Sequence, residues 1–341
     1  MTGGPLNQPD IHPPHRGTTF DHLVSTRYFI GQMVDQDGLQ FKNPSLSIAA
    51  TLSLFAVVVV AWGLNWTVTK LIVTEMTPLW AAAIRTGIAA ITLLPVLALT
   101  GQFIIPKRGD VPVILAISLF HMVAFSALMT AGLKYVPVGR SVVLGYTTPL
   151  WVAPAAWFFL DEQLPPQRIA GIALGIAGLV FMFNPTVLNW NDHQAILGNG
   201  LLLLSAFAWS VSILYTRAHR WIATPFQLVF WEVLLATAVL SALALAFEGR
   251  PKITWTTPLV VALGYSGIVG NVLGFWAMTV VSRSVPATTT SIGILVTPIV
   301  GIVSSAMLLR ETIDAQLIIA SGTILLGVLV ATISWPKRGL A

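Results

Sequence analysis

Cysteine is absent and charge is scarce in this chain of 341 residues. Without cysteine there is no disulfide framework, no thiolate metal site and no thiol nucleophile. Charged residues make up 9% of the chain, whereas a soluble globular domain carries about 25%. So few charges cannot keep a surface of this size in water unless lipid replaces water as the main solvent. The composition therefore excludes an ordinary soluble fold and indicates a protein that crosses a membrane several times.

A basic surface is missing as well. The formal net charge is +5, and the Lys and Arg residues lie mainly in short segments between apolar stretches, where they suit lipid headgroups rather than nucleic acid. Within those stretches there are no paired carboxylates, no cluster of His, Asp and Glu with metal-ligand spacing, and no phosphate-binding Gly-Lys motif. We therefore expect no nucleic-acid partner, no metal, no cofactor and no ATPase subunit.

The first 47 residues differ in composition from the rest of the chain. They are polar, contain five prolines and never present the roughly 18 consecutive apolar residues that indicate a membrane helix. We expect residues 1–47 to form a flexible cytoplasmic tail without a cleaved signal peptide. A segment that regulates the protein or binds a partner is the alternative.

Apolar stretches recur from residue 48 onward, separated by short segments rich in Pro, Gly and charge. Each stretch is close to the length of about 20 residues that an α-helix needs to cross about 30 Å of hydrocarbon. The sequence therefore predicts an all-α integral membrane protein with ten transmembrane helices. The predicted spans are residues 48–69, 78–99, 111–133, 137–160, 167–183, 198–216, 225–247, 257–281, 286–308 and 316–334.

The basic residues beside these spans predict the orientation. With the N-terminus inside, the inner segments hold nine of these Lys and Arg residues and the outer segments hold six. Because Lys and Arg accumulate on the cytoplasmic side, we expect both termini, including the tail at 335–341, in the cytoplasm. No organelle signal is visible, so a cell inner membrane of bacterial type is the simplest location.

The chain also repeats itself. At an offset of 147 residues Trp62 aligns with Trp209, and at an offset of 149 Pro149 aligns with Pro298. Each copy holds five helices, and because five is odd, the second copy must enter the membrane from the opposite face. Inverted repeats are typical of secondary transporters, whereas a duplicated scaffold or lipid-embedded enzyme is the alternative. The two copies are predicted to be residues 48–183 and 198–334.

Arg85 and Glu232 are the two formally charged residues well inside the predicted spans. A charge at that depth normally faces a cavity or a partner. Arg85 lies seven residues after Pro78 and Glu232 seven after Pro225, so in inverted copies their depths differ by about 10 Å in a core of about 30 Å. We predict that they form no direct pair and that each finds partners in its own half.

Both charged residues are candidates for coupling or gating. For Arg85 the alternative is a structural side chain that bonds to carbonyls at a helix end. For Glu232 a proton or cation site and a structural hydrogen bond are both open. Pro149 and Pro298 join this group, because a proline inside a helix frees a carbonyl and commonly produces a kink that can act as a hinge. A purely architectural kink is the alternative.

Trp62, Asn65 and Trp66 share one face of the first helix, since they lie at positions i, i+3 and i+4. An amide exposed to lipid would lack partners, so this face should meet a cavity or another helix. Other polar or aromatic residues near mid-depth are His121, Tyr146, Trp209 and Asn271. We predict that these seven line a substrate cavity between helices 1, 3, 4, 6, 8 and 9. Interfacial Trp belts and a packing histidine are the alternatives.

The residues also carry a resemblance, which extends over about residues 50–333. The chain resembles the EamA-type transporters of the drug/metabolite transporter superfamily. The resemblance implies ten spanning helices, termini inside, and export of small metabolites such as amino acids; Glu232 departs from the family pattern. The matching residues are Trp62-Gly63, Asn65, Lys70, Arg85, the run Leu133–Arg140, Pro149, Glu162, Gly171, Gly175 and Gly178, with weaker copies around Trp209, Pro286, Pro298 and Glu311.

These observations favour a secondary transporter rather than an enzyme. We expect it to export small amphipathic metabolites, such as amino acids, aromatic ones among them, or related drugs, by alternating access and driven by a gradient. The expected partners are a small-molecule substrate, the lipid bilayer and, as a candidate coupling ion, the proton. The alternatives are an intramembrane enzyme, which needs clustered polar groups at one interface, and a channel, which favours a ring of like polar groups.

Overall fold

The computed structural model describes residues 48–183, 190–284, 290 and 293–332, and these residues form helices and turns without a strand. The all-helical prediction is confirmed for this part of the chain. Eight helices are long and apolar enough to cross a membrane, and two apolar helices, the fifth and the ninth in chain order, are shorter. The helices are α1 (Ile48–Glu75), α2 (Pro78–Leu99), α3 (Arg108–Tyr135), α4 (Val138–Leu160), α5 (Pro166–Met182), α6 (His193–Ala218), α7 (Pro225–Phe247), α8 (Thr257–Ser282), α9 (Thr297–Leu309) and α10 (Ala315–Thr332).

Several sequence-level predictions fall partly or wholly outside the described residues. The predicted tails at 1–47 and 335–341 lie there, as does Pro286. The predicted ninth span began at residue 286, whereas α9 as described has 13 residues and starts at Thr297. The fifth span is a helix of 17 residues.

Local sequence signals set the helix ends. α2 and α7 each begin at the proline of a Thr-Pro pair, because proline already has a helical φ and its missing N–H is not needed in the first turn. Thr224 and Gln227 add a reciprocal capping box at the start of α7. At the start of α6, the Asp192 carboxylate accepts hydrogen bonds from two backbone amides.

The described residues with positive φ fall into two pairs. Gly101 (φ 67°) follows α2 and Gly249 (φ 73°) follows α7, at an offset of 148 residues. Asp161 (φ 52°) follows α4 and Arg310 (φ 55°) follows α9, at an offset of 149. Left-handed backbone is uncommon for residues other than glycine, so the second pair marks two helix ends built in the same unusual way.

Two further segments correspond in the same manner. α3 is π-helical over Ile117–Phe125 and α8 over Tyr265–Leu273, again at an offset of 148. A π-turn holds about one residue more than an α-turn; such turns are rare and frequently lie at functional sites. Near the centre of each segment lies a polar residue that the sequence singled out, His121 in α3 and Asn271 in α8.

Small residues allow the helices to approach closely. α5 and α10 make one of the most extensive contacts in the bundle, with Gly171 and Gly175 against Gly327. A Cβ on Gly171 or Gly327 would meet the backbone of the facing helix, and one on Gly175 would meet Leu150 of α4, so these glycines let the backbones approach as small residues do in membrane helix pairs. On the outside of the bundle, large apolar side chains such as Ile91 (75% exposed) and Phe247 (79% exposed) are left for lipid.

Carboxylates from one half cap helices of the other. Glu248, after α7, accepts hydrogen bonds from the amides of Leu79 (2.9 Å) and Trp80 (3.1 Å) at the start of α2. Glu311, after α9, accepts from the two amides at the start of the fourth helix, Val138 (2.8 Å) and Gly139 (3.1 Å). A negative charge at a helix N-terminus also interacts favourably with the helix dipole. We call this end of the bundle the Glu248 end.

The opposite end is called the Asp110 end. There the buried Asp110 carboxylate accepts from the amides of Ile222 and Ala223, both at 3.0 Å, just before α7. Glu162, the equivalent of Glu311 at an offset of 149, also lies at this end and forms ion pairs with Arg168 (3.4 Å) and Arg217 (3.1 Å). Equivalent carboxylates thus have different partners at the two ends.

Candidate functional site

A cavity of about 90 Å³ inside the bundle is lined by all seven residues that the sequence nominated for substrate contact. We call it the central cavity. Its lining also differs from the predicted one: α2 and α7 contribute Arg85 and Val233, whereas among the described residues α9 contributes none. The predicted residues found there are Trp62, Asn65, Trp66, His121, Tyr146, Trp209 and Asn271.

The face of α1 that carries Trp62 and Asn65 is held against α8. The Trp62 indole donates a hydrogen bond to the Gly270 carbonyl (3.1 Å) and meets Phe275 edge-on at 5.5 Å between ring centroids. Asn65 packs against Gly270, where a Cβ would come within 2.7 Å of the Asn65 Oδ1. That buried Oδ1 has no hydrogen-bond partner in the structure, so it is a free acceptor beside the cavity.

Aromatic rings form the wall toward α6. His121 stacks on Trp209 with ring centroids 5.2 Å apart and planes 5° apart. Phe125 and Tyr146 also contact Trp209, at 5.2 Å and 6.2 Å. Tyr146 reaches this position because α4 is interrupted at residues 146–147, just before Pro149. Stacked and edge-on rings of this kind suit a planar apolar group on a ligand.

Arg85 gives the central cavity a positive charge. Its side chain is buried, and it donates hydrogen bonds to Thr69 Oγ1 (2.9 Å) and Ser126 Oγ (3.3 Å), both in the first half of the chain as predicted. Its Nε has no partner, and no carboxylate of the described residues forms an ion pair with it. Because a buried charge is stabilised by an opposite charge, this guanidinium is suited to an anionic ligand group.

Glu232 faces a different space. It forms no ion pair with Arg85, which agrees with the depth argument. The prediction that Glu232 finds partners in its own half is not met for its Oε1. The buried Oε1 of Glu232 has no hydrogen-bond partner. In contrast to Arg85, no polar side chain of its own half reaches that oxygen. Glu232 lines a second cavity instead of the central one.

This second cavity, here called the wide cavity, has a volume of about 340 Å³. It reaches toward the Asp110 end, where Trp221, Pro225 and Phe226 line it at the start of α7. The two cavities share a partition that we call the aromatic wall. It consists of His121, Met122, Trp209, Asn271 and Phe275.

The two prolines nominated for gating lie outside both cavities. Pro149 stands in the first turn of the second part of α4, and Pro298 at the equivalent position of α9. The predicted interruption of α4 is confirmed, since the helix stops at Gly145 and resumes at Thr148. The two prolines therefore do not contact a ligand in either cavity, and they can influence one only through the geometry of α4 and α9.

Several lining residues escaped the sequence reasoning, chiefly Phe125, Ser126, Gly270 and Phe275. A phenylalanine on an apolar span cannot be distinguished by type from one that faces lipid. A positional signal was nevertheless present, because each of the two missed phenylalanines lies four residues after a nominated polar residue, His121 or Asn271. In a helix this spacing returns to the same face.

Comparison with known sequences identifies the family. The sequence matches the EamA-like transporter family twice, over residues 49–184 and 196–333. The chain belongs to this family. EamA proteins are part of the drug/metabolite transporter superfamily, so the chain is a multi-pass membrane transporter and not an enzyme.

Relatives of similar length support this assignment. The uncharacterized transporter YoaV of Bacillus subtilis (strain 168) is 23% identical over 285 residues, which cover 82% of this chain and 96% of YoaV. The probable amino-acid metabolite efflux pump of Escherichia coli (strain K12) is 26% identical over 292 residues, 81% of this chain and 93% of the pump. A crystal structure with 19% sequence identity matches 83% of this chain with a TM-score of 0.58, which shows a common fold.

Proposed function

We propose that this EamA protein is a secondary exporter of small amphipathic metabolites, such as amino acids. The observation that carries the proposal is the convergence of seven nominated residues and Arg85 on one cavity inside the bundle. The similarity to a probable amino-acid metabolite efflux pump supports the substrate class. The location we propose is a cell inner membrane.

The chemistry of the central cavity favours a substrate with an apolar, preferably aromatic, body and an anionic group. The body packs against Trp209 and Trp62, as aromatic rings prefer offset or edge-on contact. The carboxylate binds near Arg85, which has no counter-ion among the described residues. The free Oδ1 of Asn65 accepts a hydrogen bond from a donor on the substrate, and Asn271 adds a second amide.

The transport cycle we propose is alternating access between two inverted repeats of five helices, with both termini in the cytoplasm. The paired helix ends and paired π-segments, at offsets of 148 and 149 residues, support the repeat. The unequal partners of Glu162 and Glu311 support a state that is closed at the Glu248 end and accessible from the Asp110 end. In this orientation the Asp110 end faces the cytoplasm.

Coupling and gating complete the proposal. We assign the driving force to an ion gradient, with the proton as the candidate ion and His121 or Glu232 as the group that carries it. An imidazole changes charge near neutral pH, which suits that role. Pro149 and Pro298 are proposed as hinges in α4 and α9.

Transport by the purified full-length protein in proteoliposomes tests this function. Wild-type protein is expected to accumulate radiolabelled phenylalanine when a pH gradient is imposed. Trp209→Ala should reduce the rate about tenfold, because it removes a stacking surface on which the substrate lies. Trp255→Ala is the matched control, since Trp255 is exposed and lines neither cavity. Absence of transport for every amino acid tested would refute the function, and equal loss in both variants would refute the site.

His121→Gln separates binding from coupling in the same assay. If His121 carries the proton, the variant should lose the dependence of accumulation on the pH gradient yet retain exchange of labelled for unlabelled substrate. An unchanged pH dependence would assign coupling to Glu232 or to no proton at all.

A further inference from the structure

Glu232 is a buried carboxylate that does not line the central cavity. Its side chain is 4% exposed, and its Oε1 has no hydrogen-bond partner. Among the described residues no Lys, Arg or His forms an ion pair with it. A buried acceptor of this kind is unfavourable unless a partner fills the site for part of the time. The wide cavity, whose lining includes Glu232, is the space from which such a partner can approach this side chain.

The rest of the wide cavity indicates what that partner is. Five aromatic side chains line it, namely Trp209, Trp221, Phe226, Phe275 and Trp276. No Lys or Arg of the described residues does so, and His121 in the aromatic wall is the one other residue there that can become charged. Aromatic faces attract organic cations, and a carboxylate binds ammonium groups. A divalent metal ion is usually held by several acidic ligands, whereas Glu232 is the one carboxylate in this lining, and no group of three or more His, Cys, Asp or Glu among the described residues could hold a metal.

We propose that the wide cavity is a second ligand site, which binds the positively charged nitrogen of an amphipathic amine or amino acid with Glu232 as its counter-ion. The proposal rests on the proposed function and deepens it. An amino acid then meets its two complementary charges one after the other. Glu232 binds the ammonium group in the wide cavity, and Arg85 binds the carboxylate in the central cavity, beyond the aromatic wall. Molecules with an amine and without a carboxylate bind the wide cavity alone.

Two matched probes separate the cavities. Tyramine carries the amine without a carboxylate, and 3-(4-hydroxyphenyl)propionate carries the carboxylate without an amine. Their binding to the purified full-length protein is measured by isothermal titration calorimetry. Glu232→Gln should weaken tyramine binding about 30-fold or more, as expected when one member of a buried charge pair is neutralised. The affinity for the propionate should stay within about threefold, which also shows that the variant is folded.

Glu75→Gln is the matched control, because Glu75 is exposed at the end of α1 and lines neither cavity. It should leave the affinities for both probes unchanged. Should Glu232→Gln fail to fold, competition in the wild-type protein decides the question. Saturating propionate should leave the tyramine affinity within about threefold if the probes occupy separate cavities.

The proposal is overturned if wild-type protein binds no tyramine below about 10 mM, if Glu232→Gln binds it as tightly as wild type, or if the two probes displace each other completely. Failure of the proposed function looks different. In that case proteoliposomes transport no amino acid, while the titrations still measure whether Glu232 contributes to the binding of tyramine.

Discussion

At the level of single residues, Asn65 keeps its place in the central cavity because residue 270 has no side chain. A Cβ on Gly270 would lie 2.7 Å from the Asn65 Oδ1 and 2.8 Å from its Cγ. Gly270→Ala should therefore displace the Asn65 amide and reduce transport about tenfold or more, since small misplacements in a binding site have large effects on rate. The transport rate in proteoliposomes measures this.

Gly264→Ala is the control for that change. Gly264 lies on the same helix, six residues earlier, and a Cβ there meets nothing within 4 Å. The variant should transport at the wild-type rate and be slightly more stable, because alanine favours a helix by about 0.5–1 kcal/mol over glycine. Equal rates for Gly270→Ala and Gly264→Ala would show that the position of Asn65 does not matter for transport.

The sequence predicted much of the central cavity at this level, for a physical reason. Amide, imidazole and indole groups cannot be left unpaired in lipid, so Asn65, His121 and Trp62 had to face the interior. This argument does not apply to Phe125 or Phe275, because a phenylalanine side chain is equally stable against lipid and in a cavity wall. That the seven residues bind substrate stays a prediction.

Among the helices, the α5–α10 pair depends on the glycines at its contact. A Cβ on Gly327 would lie 2.7 Å from both the Gly171 carbonyl oxygen and the Gly175 Cα, neither of which can move as a flexible side chain can. Gly327→Ala should therefore destabilise the protein by about 1–3 kcal/mol, the usual effect of overpacking. Gly322→Ala, on the same helix with open space around the new Cβ, should have no such effect. Thermal unfolding of both variants in detergent checks this, and similar midpoints would contradict the packing.

The caps at the two ends of the bundle give a second prediction for the helices. Glu311→Gln weakens the hydrogen bonds to Val138 and Gly139, since those to a charged acceptor are roughly twice as strong as neutral ones. We expect the free energy that keeps the Glu248 end closed in the proposed state to fall by about 1 kcal/mol, which raises the open fraction about fivefold. A cysteine at Ser126 should then be labelled about fivefold more from that side. Glu162→Gln, at the equivalent position, should not increase the labelling, because the partners of Glu162 are at least partly exposed to solvent. Increased labelling in Glu162→Gln alone would reverse the assignment of the closed end.

The positions of the helices could be predicted, because length and composition determine which stretches span a membrane. The local helix type was less predictable, because it depends on the neighbouring helices. Eight long apolar stretches became candidate spans, and the break before Pro149 followed from the missing amide of proline. The π-segments in α3 and α8 were not foreseen. An α-turn and a π-turn use the same residues, and the choice between them depends on what packs against the helix.

For the whole molecule, the proposed orientation predicts from which side of the membrane the wide cavity is reached. The natural chain has no cysteine, so a single introduced thiol reports its own surroundings. Thr279→Cys, in the wall of the wide cavity, should react with a membrane-impermeant maleimide in inverted vesicles and not in intact cells. Thr254→Cys, exposed at the Glu248 end, should do the opposite. The reverse pattern would place the Asp110 end outside and refute the proposed orientation.

The overall architecture followed from the sequence as far as the all-helical fold and the family. Scarce charge and repeated apolar stretches leave few alternatives to a bundle of membrane helices. Two features could not follow from the sequence. The division of the interior into two cavities depends on how the aromatic rings stack, and the different partners of Glu162 and Glu311 depend on how the helices pack at the two ends.

The aromatic wall bears on how fast molecules pass between the two cavities. An aromatic pair such as His121 and Trp209 contributes about 0.5–1.5 kcal/mol beyond burial, so the stacking of these two rings by itself slows passage about 2- to 13-fold. State changes of transporter-like bundles take microseconds to milliseconds or longer. If the wall opens faster than the bundle changes state, the distribution of a bound molecule between the cavities is at equilibrium. Discrimination between substrates then reflects relative occupancy, and an amine that favours the wide cavity acts as a reversible competitor.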